Sequence, residues 1–445
     1  MNHFPVLRPA VVGSCLAGLV AVLPAQDPDR KASLERAAAE LPPSSPTAPQ
    51  LGDRPTLRLV DVSLNLMTAL GTSTERDSVL ADLKGGAHDA KKRGFTLQQA
   101  ELSLVGAVDP YFTGHCYLIT QLDPAEGETI VELEEAYLRT VALPGGLQFK
   151  AGAYFTEFGR INDRHPHQWD WTDQPVIHSR VFGGDGMRGP GARVGWLLPT
   201  ERYTELLFGV QNANGETMTS FFANDEVYEE RGIGGRFFTE QEVTSFADMV
   251  FTGRAMTTFA LGDATDLDLG ASIAMGPNAT GEDSDTLIYG ADFALVWRPD
   301  TATRGWPFFK LQGEFVARAF DAAAQTDDAD PLNPVGLPAD TLDDYGGYLQ
   351  ALYGFAPNWA AGLRAEWVTG SGDSYDADSQ TFGRAFDPYR CDRVRFSPLL
   401  AYHPSEYSRL RLQYDYDDSD HLEDPVHSIW LGFEILIGAH PPHSY

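Results

Sequence analysis

The feature that most constrains this chain is a two-residue alternation of apolar and polar side chains, which recurs from residue 57 to residue 437. In the first such segment Val62, Leu64 and Leu66 alternate with Ser63 and Asn65. Because successive side chains of a β-strand point to opposite faces, this alternation predicts strands with one apolar and one mixed face. Sixteen strands are predicted, at 57–70, 95–108, 111–122, 130–142, 146–154, 189–198, 202–212, 245–259, 265–276, 285–298, 306–319, 344–355, 358–369, 392–403, 407–417 and 427–437.

The connections between these segments alternate between long and short. The short ones carry turn-forming residues, as in Asp109-Pro110 and Pro357-Asn358. The long ones are polar or acidic and include 71–94, 155–188, 320–343 and 370–391. Barrels of the bacterial outer membrane have short turns on the periplasmic rim and long loops on the external rim. The sequence therefore predicts an all-β fold, a transmembrane antiparallel barrel of about sixteen strands over residues 56–445.

A large secreted β-sandwich or propeller would also show alternation. A propeller would repeat its sequence every 40 to 50 residues or so, and this chain has no such repeat. A sandwich gives no reason for the regular alternation of loop lengths. Aromatic residues make up 11% of the chain, as expected for a barrel with aromatic girdles at both membrane interfaces. These observations favour the barrel.

The N-terminus has the pattern of a secretory signal peptide over residues 1–25. Arg8 precedes an apolar run from Ala10 to Leu23, and cleavage is expected after Ala25. A lipoprotein signal ending at Cys15 is an alternative, although the apolar stretch before that cysteine is short. Residues 26–55 are expected to form a periplasmic segment, either a short helix followed by a proline-rich linker or a disordered tail.

Charge and cysteine content limit the partners of the chain. The formal net charge is -30, which argues against nucleic acid as a partner. Cys116 and Cys391 show no metal-ligand spacing, and the sequence leaves open whether they form a disulfide. No cofactor is predicted. No Gly-x-Ser-x-Gly motif occurs, so an outer-membrane enzyme is the least favoured alternative.

The strand faces opposite the apolar ones carry basic residues that are predicted to line a pore. They are Lys150, Arg193, Lys310, Arg318, Arg364, Arg393, Arg395, Arg409 and Arg411. The last five fall on strands thirteen to fifteen, where same-face neighbours lie within a few ångströms of one another. Two interpretations remain open: a basic patch that favours the passage of anions, or a network neutralised by wall carboxylates such as Glu366 and Glu434.

The long connection 155–188 is predicted to fold into the barrel and narrow the pore. Phe158, Trp169, Trp171 and Phe182 need an apolar surface to pack against, and the barrel interior is the nearest one. The constriction is expected to be formed by Glu157, Arg160, Asp163, Arg164, His165, His167, Asp170, Asp173 and His178.

Histidines in this connection also raise the possibility of a metal site. His165 and His167, with carboxylates nearby, offer ligands for a zinc-type ion, but His-Pro-His is a weak motif. The alternative is that these histidines form hydrogen bonds within a packed loop. A metal-binding channel is therefore the alternative function to a diffusion pore.

Seven stretches resemble the bacterial outer-membrane porins of the phosphate-selective type, and among them a group often labelled zinc-regulated outer-membrane receptors. They are 95–102, 108–112, 131–138, 143–147, 159–162, 165–167 and 188–191. The resemblance implies a sixteen-stranded barrel in outer-membrane lipid, usually a homotrimer, with an inward-folded third external loop. The expected function is passive diffusion of small hydrophilic solutes or ions, either general or with a preference for anions. The short stretch before the first strand favours a porin over a plugged receptor.

Overall fold

A computed structural model describes residues 60–123, 127–141 and 143–438. The expected signal peptide 1–25, the segment 26–55 and the residues after 438 lie outside the described part. Sixteen antiparallel strands form one closed barrel, in which each strand pairs with its neighbours in sequence and the first pairs with the last. The predicted fold class is therefore confirmed.

The barrel strands are numbered β1 to β16 in chain order. They are Asp61–Ser73, Gly94–Ala107, Phe112–Leu122, Thr129–Thr140, Leu147–Phe155, Arg188–Leu197, Thr204–Asn212, Met249–Ala260, Thr265–Pro277, Asp285–Trp297, Phe308–Ala322, Asp340–Ala356, Trp359–Ser371, Arg393–Ser405, Ser408–Ser419 and Val426–Gly438. Each strand boundary lies within four residues of the boundary predicted from alternation, because the alternation is a local property of each strand.

The connections contain only short elements. Within the described residues there are three α-helices: α1 (Asp77–Leu83), α2 (Val176–Phe182) and α3 (Asp225–Arg231). Single 3₁₀ turns lie at Pro144–Gly146, Pro166–Gln168, Ile233–Gly235 and Phe246–Asp248, and two small hairpins pair 325–327 with 335–337 and 375–376 with 381–382. Among the described helices, none is both long and apolar enough to cross a membrane.

The outer surface of the barrel is apolar and the inner surface is polar. On β12, Leu349 and Tyr353 are exposed outward, whereas Tyr348 and Gln350 are buried inside. A closed barrel pairs its backbone groups within the sheet, so it tolerates a hydrocarbon environment. An apolar exterior on a closed sixteen-stranded barrel is the arrangement of a bacterial outer-membrane protein, and this chain belongs to that membrane.

This assignment predicts a large effect of charge on the outer face. Replacing Leu349 by Arg is expected to lower the free energy of unfolding by about 2–4 kcal/mol, because the guanidinium would face hydrocarbon. Urea-induced unfolding from lipid vesicles measures the change, with Leu349→Ala as the control for lost side-chain area. Equal stability of the Arg and Ala variants would contradict the lipid-facing assignment.

Two β-bulges turn additional polar side chains towards the lumen. The pairing of β1 with β2 leaves out Gln98, and that of β3 with β4 leaves out Glu134. As a result Gln98 and Gln99 are both buried, and so are Glu134 and Glu135. A bulge inserts one residue into one strand and disturbs the alternation of its side chains. The inner wall of β2 and β4 therefore carries consecutive polar residues.

Candidate functional site in the barrel lumen

The third external connection, residues 156–187, lies inside the barrel. Phe158 and Phe182 are fully buried and belong to one apolar cluster with Val250 of β8, Ile288 of β10 and Val316 of β11. Side chains of the loop thus fill the space next to several wall strands.

The indole of Trp171 fixes the loop to the other side of the wall. It packs with Leu352 of β12 and Leu399 of β14, and its N–H donates a hydrogen bond of 2.8 Å to the carbonyl oxygen of Ser397. Trp169 packs separately with Ile161 of the loop and with Tyr348.

A buried carboxylate, Asp173, anchors the loop electrostatically. It is paired with Arg364 of β13, with Arg395 of β14 at 3.1 Å and with Lys84 at 2.6 Å. Burial alone would raise the pKa of the Asp173 carboxyl, but Arg364, Arg395 and Lys84 outweigh it and hold that pKa well below its usual range. The carboxylate is therefore charged at any pH at which the barrel would operate.

All five arginines predicted to form the basic patch are buried and paired. Their partners are Asp173 and Glu366 for Arg364 and Arg395, Asp417 for Arg393, and Glu434 for Arg409 and Arg411. Arg411 also donates to the carbonyl oxygens of Trp169 and Trp171, at 3.0 and 2.7 Å. Each positive charge of the predicted patch therefore has a carboxylate partner at short range.

The remaining predicted wall cations are also paired. Arg318 of β11 contacts Asp344 at 2.5 Å, and Lys310 contacts Asp170 of the loop at 2.8 Å. Lys310 is partly exposed, so this second pair is more open to water than the Asp173 pairs.

Residues of the first external connection also enter the lumen, which the sequence reasoning missed. Lys84, directly after α1, bridges Asp173 and Asp415 at 2.6 Å each. The backbone N–H of Ala87 donates to the carbonyl oxygen of Gly184 at 3.0 Å, which ties the first connection to the third. Lys84 is one of several charged residues in a polar stretch, and no local pattern distinguishes it from the others.

The start of the third connection packs very closely against β9 to β11. Arg160 donates to Asp292 at 2.9 Å and to Asp268 at 3.1 Å. Gly159 adopts a positive φ of 62°, and a Cβ there would collide with the Glu314 carboxylate. Glycine is required at this position because both the backbone conformation and the close approach exclude a side chain.

A cavity of about 470 Å³ lies between this loop and the wall formed by β3 to β8. Its cationic lining residues are Arg139, Lys150, Arg160, Arg164, Arg193 and Arg254, and its carboxylates are Glu135, Glu157, Asp163 and Glu205. Glu157 accepts hydrogen bonds from Lys150 at 3.2 Å and from Arg193 at 2.9 Å. Asp163 and Arg164 are exposed. Residues predicted for the constriction loop and residues predicted for the pore wall thus line the same cavity.

The predicted loop histidines separate into two places. His165 and His167 lie beside Glu101 of β2, and their ligand atoms and that of Glu101 fall within 4.8 Å of one another. His178 of α2 lies 3.0 Å from Glu314 of β11.

The two cysteines whose pairing the sequence left open are free thiols. Cys116 is on β3, and Cys391 is buried before β14.

The chain is similar to one protein sequence and to several solved structures. No protein-family model matches the chain. A protein of Aquifex aeolicus (strain VF5), described as uncharacterized, is 28% identical over 415 residues, which cover 87% of this chain and 80% of that protein. OprB of Pseudomonas putida has a TM-score of 0.48 at 9% identity, with 85% of this chain and 94% of that one covered.

The outer membrane channel DcaP of Acinetobacter baumannii is a similar solved structure, with a TM-score of 0.52 at 12% identity. The match covers 85% of this chain and 97% of DcaP. At this level of identity the likeness concerns the fold, and this chain shares the barrel architecture of an outer-membrane channel.

Proposed function

We propose that this chain is a passive diffusion channel of the outer membrane, not an enzyme, and that it prefers small anions. The observation that carries the proposal is the cavity between the third loop and β3 to β8, whose lining holds six cationic side chains and four carboxylates. An excess of one charge sign along a pore tunes its selectivity. Local field and not net charge governs passage, so an acidic protein can conduct anions.

The packing of the lumen supports a path on this side of the loop. Opposite the cavity, Trp171 and the ion pairs of Asp173 occupy the space between the loop and β12 to β15. A hydrated ion would have to break those contacts to pass there. The solute path therefore runs along Lys150, Arg193 and the exposed loop residues Asp163 and Arg164.

Some of the charges that line this path are already paired. Glu157 already compensates Lys150 and Arg193, so these two cations contribute less to the field than their charges suggest. Within the described residues, Arg139 and Arg164 have no carboxylate within ion-pair distance. These two arginines are therefore lining cations without a direct carboxylate partner in the described part of the chain.

A test follows from the position of these two arginines. The double variant Arg139→Ala with Arg164→Ala is expected to shift the reversal potential in a salt gradient towards cation preference, because the lining then holds as many carboxylates as cations. Single-channel recording in planar bilayers measures the shift.

A matched control removes two arginines elsewhere. Arg76→Ala with Arg93→Ala makes the same change in net charge on the first external connection, outside the cavity lining. The control should retain the wild-type reversal potential. If both double variants shift it equally, the net charge governs selectivity and the proposed path is wrong.

The phosphate-selective type, the homotrimer and the removed signal peptide are retained as parts of this proposal, supported by the sequence resemblance. The mass of the unheated oligomer tests the homotrimer, and N-terminal sequencing of the mature protein tests the removal of the signal peptide.

The metal-binding channel is less favoured as a function, because a transported ion needs water-accessible ligands and His165 and His167 are only 6% and 1% exposed.

A further inference from the structure

Two loop histidines and three wall carboxylates meet in one buried cluster. His165 and His167 come from the third connection, Glu101 from β2, and Glu134 and Glu135 from β4. All five are buried, and the bulge in β4 is what turns both of its glutamates inward. The cluster lies beside the proposed solute path, and the proposed function does not use it.

The spacing of the nitrogen and oxygen atoms suits a small divalent metal ion. Glu101 Oε2 lies 3.2 Å from His165 Nδ1 and 3.0 Å from His167 Nδ1. In a tetrahedral zinc site with bonds of about 2.0–2.2 Å, neighbouring ligand atoms are separated by roughly 3.3 Å. Two imidazoles and one carboxylate form a common zinc ligand set, with a fourth position left for water or another carboxylate.

Without a metal, hydrogen bonds satisfy only part of this cluster. His165 Nδ1 lies between Glu101 Oε2 and Glu134 Oε2, the latter at 2.7 Å, yet one ring N–H can serve only one of them. Neither oxygen of the buried Glu134 carboxylate has a well-directed hydrogen bond within the described residues. Buried acceptors without a well-directed hydrogen bond are costly, and a bound cation would satisfy the Glu134 oxygens.

The charge of the cluster leads to the same conclusion. Around the three glutamates, the nearest lysine and arginine contacts are long: Lys150 to Glu135 at 3.9 Å and Arg188 to Glu134 at 4.0 Å. Lys150 is closer to Glu157, and Arg188 is paired with Glu132. The short-range partners of these glutamates are His165 and His167, which carry a positive charge only when protonated. A bound divalent ion would supply two charges at one point without that protonation.

The other ring nitrogen of His165 has the partner that a metal ligand needs. Its Nε2 lies 3.0 Å from Glu135 Oε2. With Nδ1 bound to a metal, Nε2–H donates to this carboxylate, an arrangement that fixes the tautomer and strengthens the ligand.

We propose that Glu101, His165 and His167 bind a Zn²⁺ ion that fastens the third loop to the β2–β4 wall, with Glu134 or water in the fourth position. The loop is then held at two places: by Asp173 on the β13–β14 side and by the metal on the opposite side. The ion keeps the constriction in one position and is not itself transported.

The test uses the full chain, folded in detergent micelles, stripped with a chelator and then titrated with ZnCl₂ in a calorimeter. One Zn²⁺ per chain is expected to bind. His165→Ala with His167→Ala is expected to weaken binding at least 100-fold, and Glu101→Gln at least tenfold. Because Zn²⁺ is colourless, Co²⁺ serves as a second probe, and the wild type should show the intense visible absorption of tetrahedral Co²⁺.

The matched control is His178→Ala, which removes another buried loop histidine next to a glutamate and should leave Zn²⁺ affinity unchanged. Circular dichroism and heat-modifiable mobility establish that each variant is folded. If the double variant does not fold, the Co²⁺ spectrum of the wild type decides. Absence of Zn²⁺ binding by the wild type, a six-coordinate Co²⁺ spectrum, or unchanged affinity in a folded double variant would each overturn the proposal.

Discussion

Replacing Asp173 by Asn is expected to lower the free energy of unfolding by about 3–5 kcal/mol, the usual loss when one partner of a buried ion network is removed. Asp173 compensates Lys84, Arg364 and Arg395, all of them buried. Asn is nearly the same size, so the change removes the charge and leaves the packing. The three cations would then share the remaining carboxylates, Glu366 and Asp415.

The pH dependence of this effect has a definite sign. The pKa of the Asp173 carboxyl in the folded protein is lower than in the unfolded chain, so the folded state favours the ionised form. Its contribution to stability is therefore fully present above the unfolded pKa of about 4 and is lost as the pH falls through the lower, folded pKa. The difference in stability between wild type and Asp173→Asn should be constant from neutral pH to about pH 5 and shrink below that.

Urea-induced unfolding at a series of pH values measures both effects. Asp170→Asn is the matched control, because Asp170 pairs with the partly exposed Lys310. A partly solvated pair of this kind contributes only about 1 kcal/mol or less. Similar losses for the two variants would show that Asp173 is not the main anchor of the loop.

Shortening the third loop is expected to raise single-channel conductance severalfold. The segment 163–168 includes Asp163, Arg164, His165 and Gln168, which line the cavity. Replacing these six residues with three glycines should widen the narrowest part of the path. It should also weaken ion preference, because solutes then pass farther from the wall charges and more water screens those charges. Trp171 and Asp173 are retained, so the packing and the ion pairs on the β12–β15 side should persist.

The matched control shortens the sixth external connection instead. Residues 328–333 are exposed and lie outside the cavity lining, and the same replacement there should leave conductance unchanged. Planar-bilayer recordings compare the two variants after heat-modifiable mobility has shown that both barrels are folded. Wild-type conductance in a folded 163–168 variant would mean that solutes do not pass along this part of the loop.

The barrel could be predicted from the sequence because the information that specifies it is local. The alternation in β16, where Ile429, Leu431 and Phe433 face outward, depends only on the strand period and on which face meets lipid. The aromatic residues of the third connection likewise indicated a loop that needs a packing surface, and Phe158 and Phe182 are buried inside the barrel.

The arrangement of side chains in the lumen could not be predicted from the sequence, because its contacts join residues that are far apart in the chain. Alternation assigns Arg364 and Arg193 alike to the inner face. Arg364 lies in a buried ion network and Arg193 lies on the cavity surface because the third loop packs against one side of the lumen and leaves the other side open. The pairing of Lys84 with Asp173 spans 89 residues, and the bulge at Glu134 breaks the alternation that sequence reasoning relies on. The sequence by itself therefore determined the wall of this protein. Long-range packing decides which charged side chains of the inner wall are exposed to water, because each charge is neutralised by the groups that lie next to it in space and not by its neighbours in sequence.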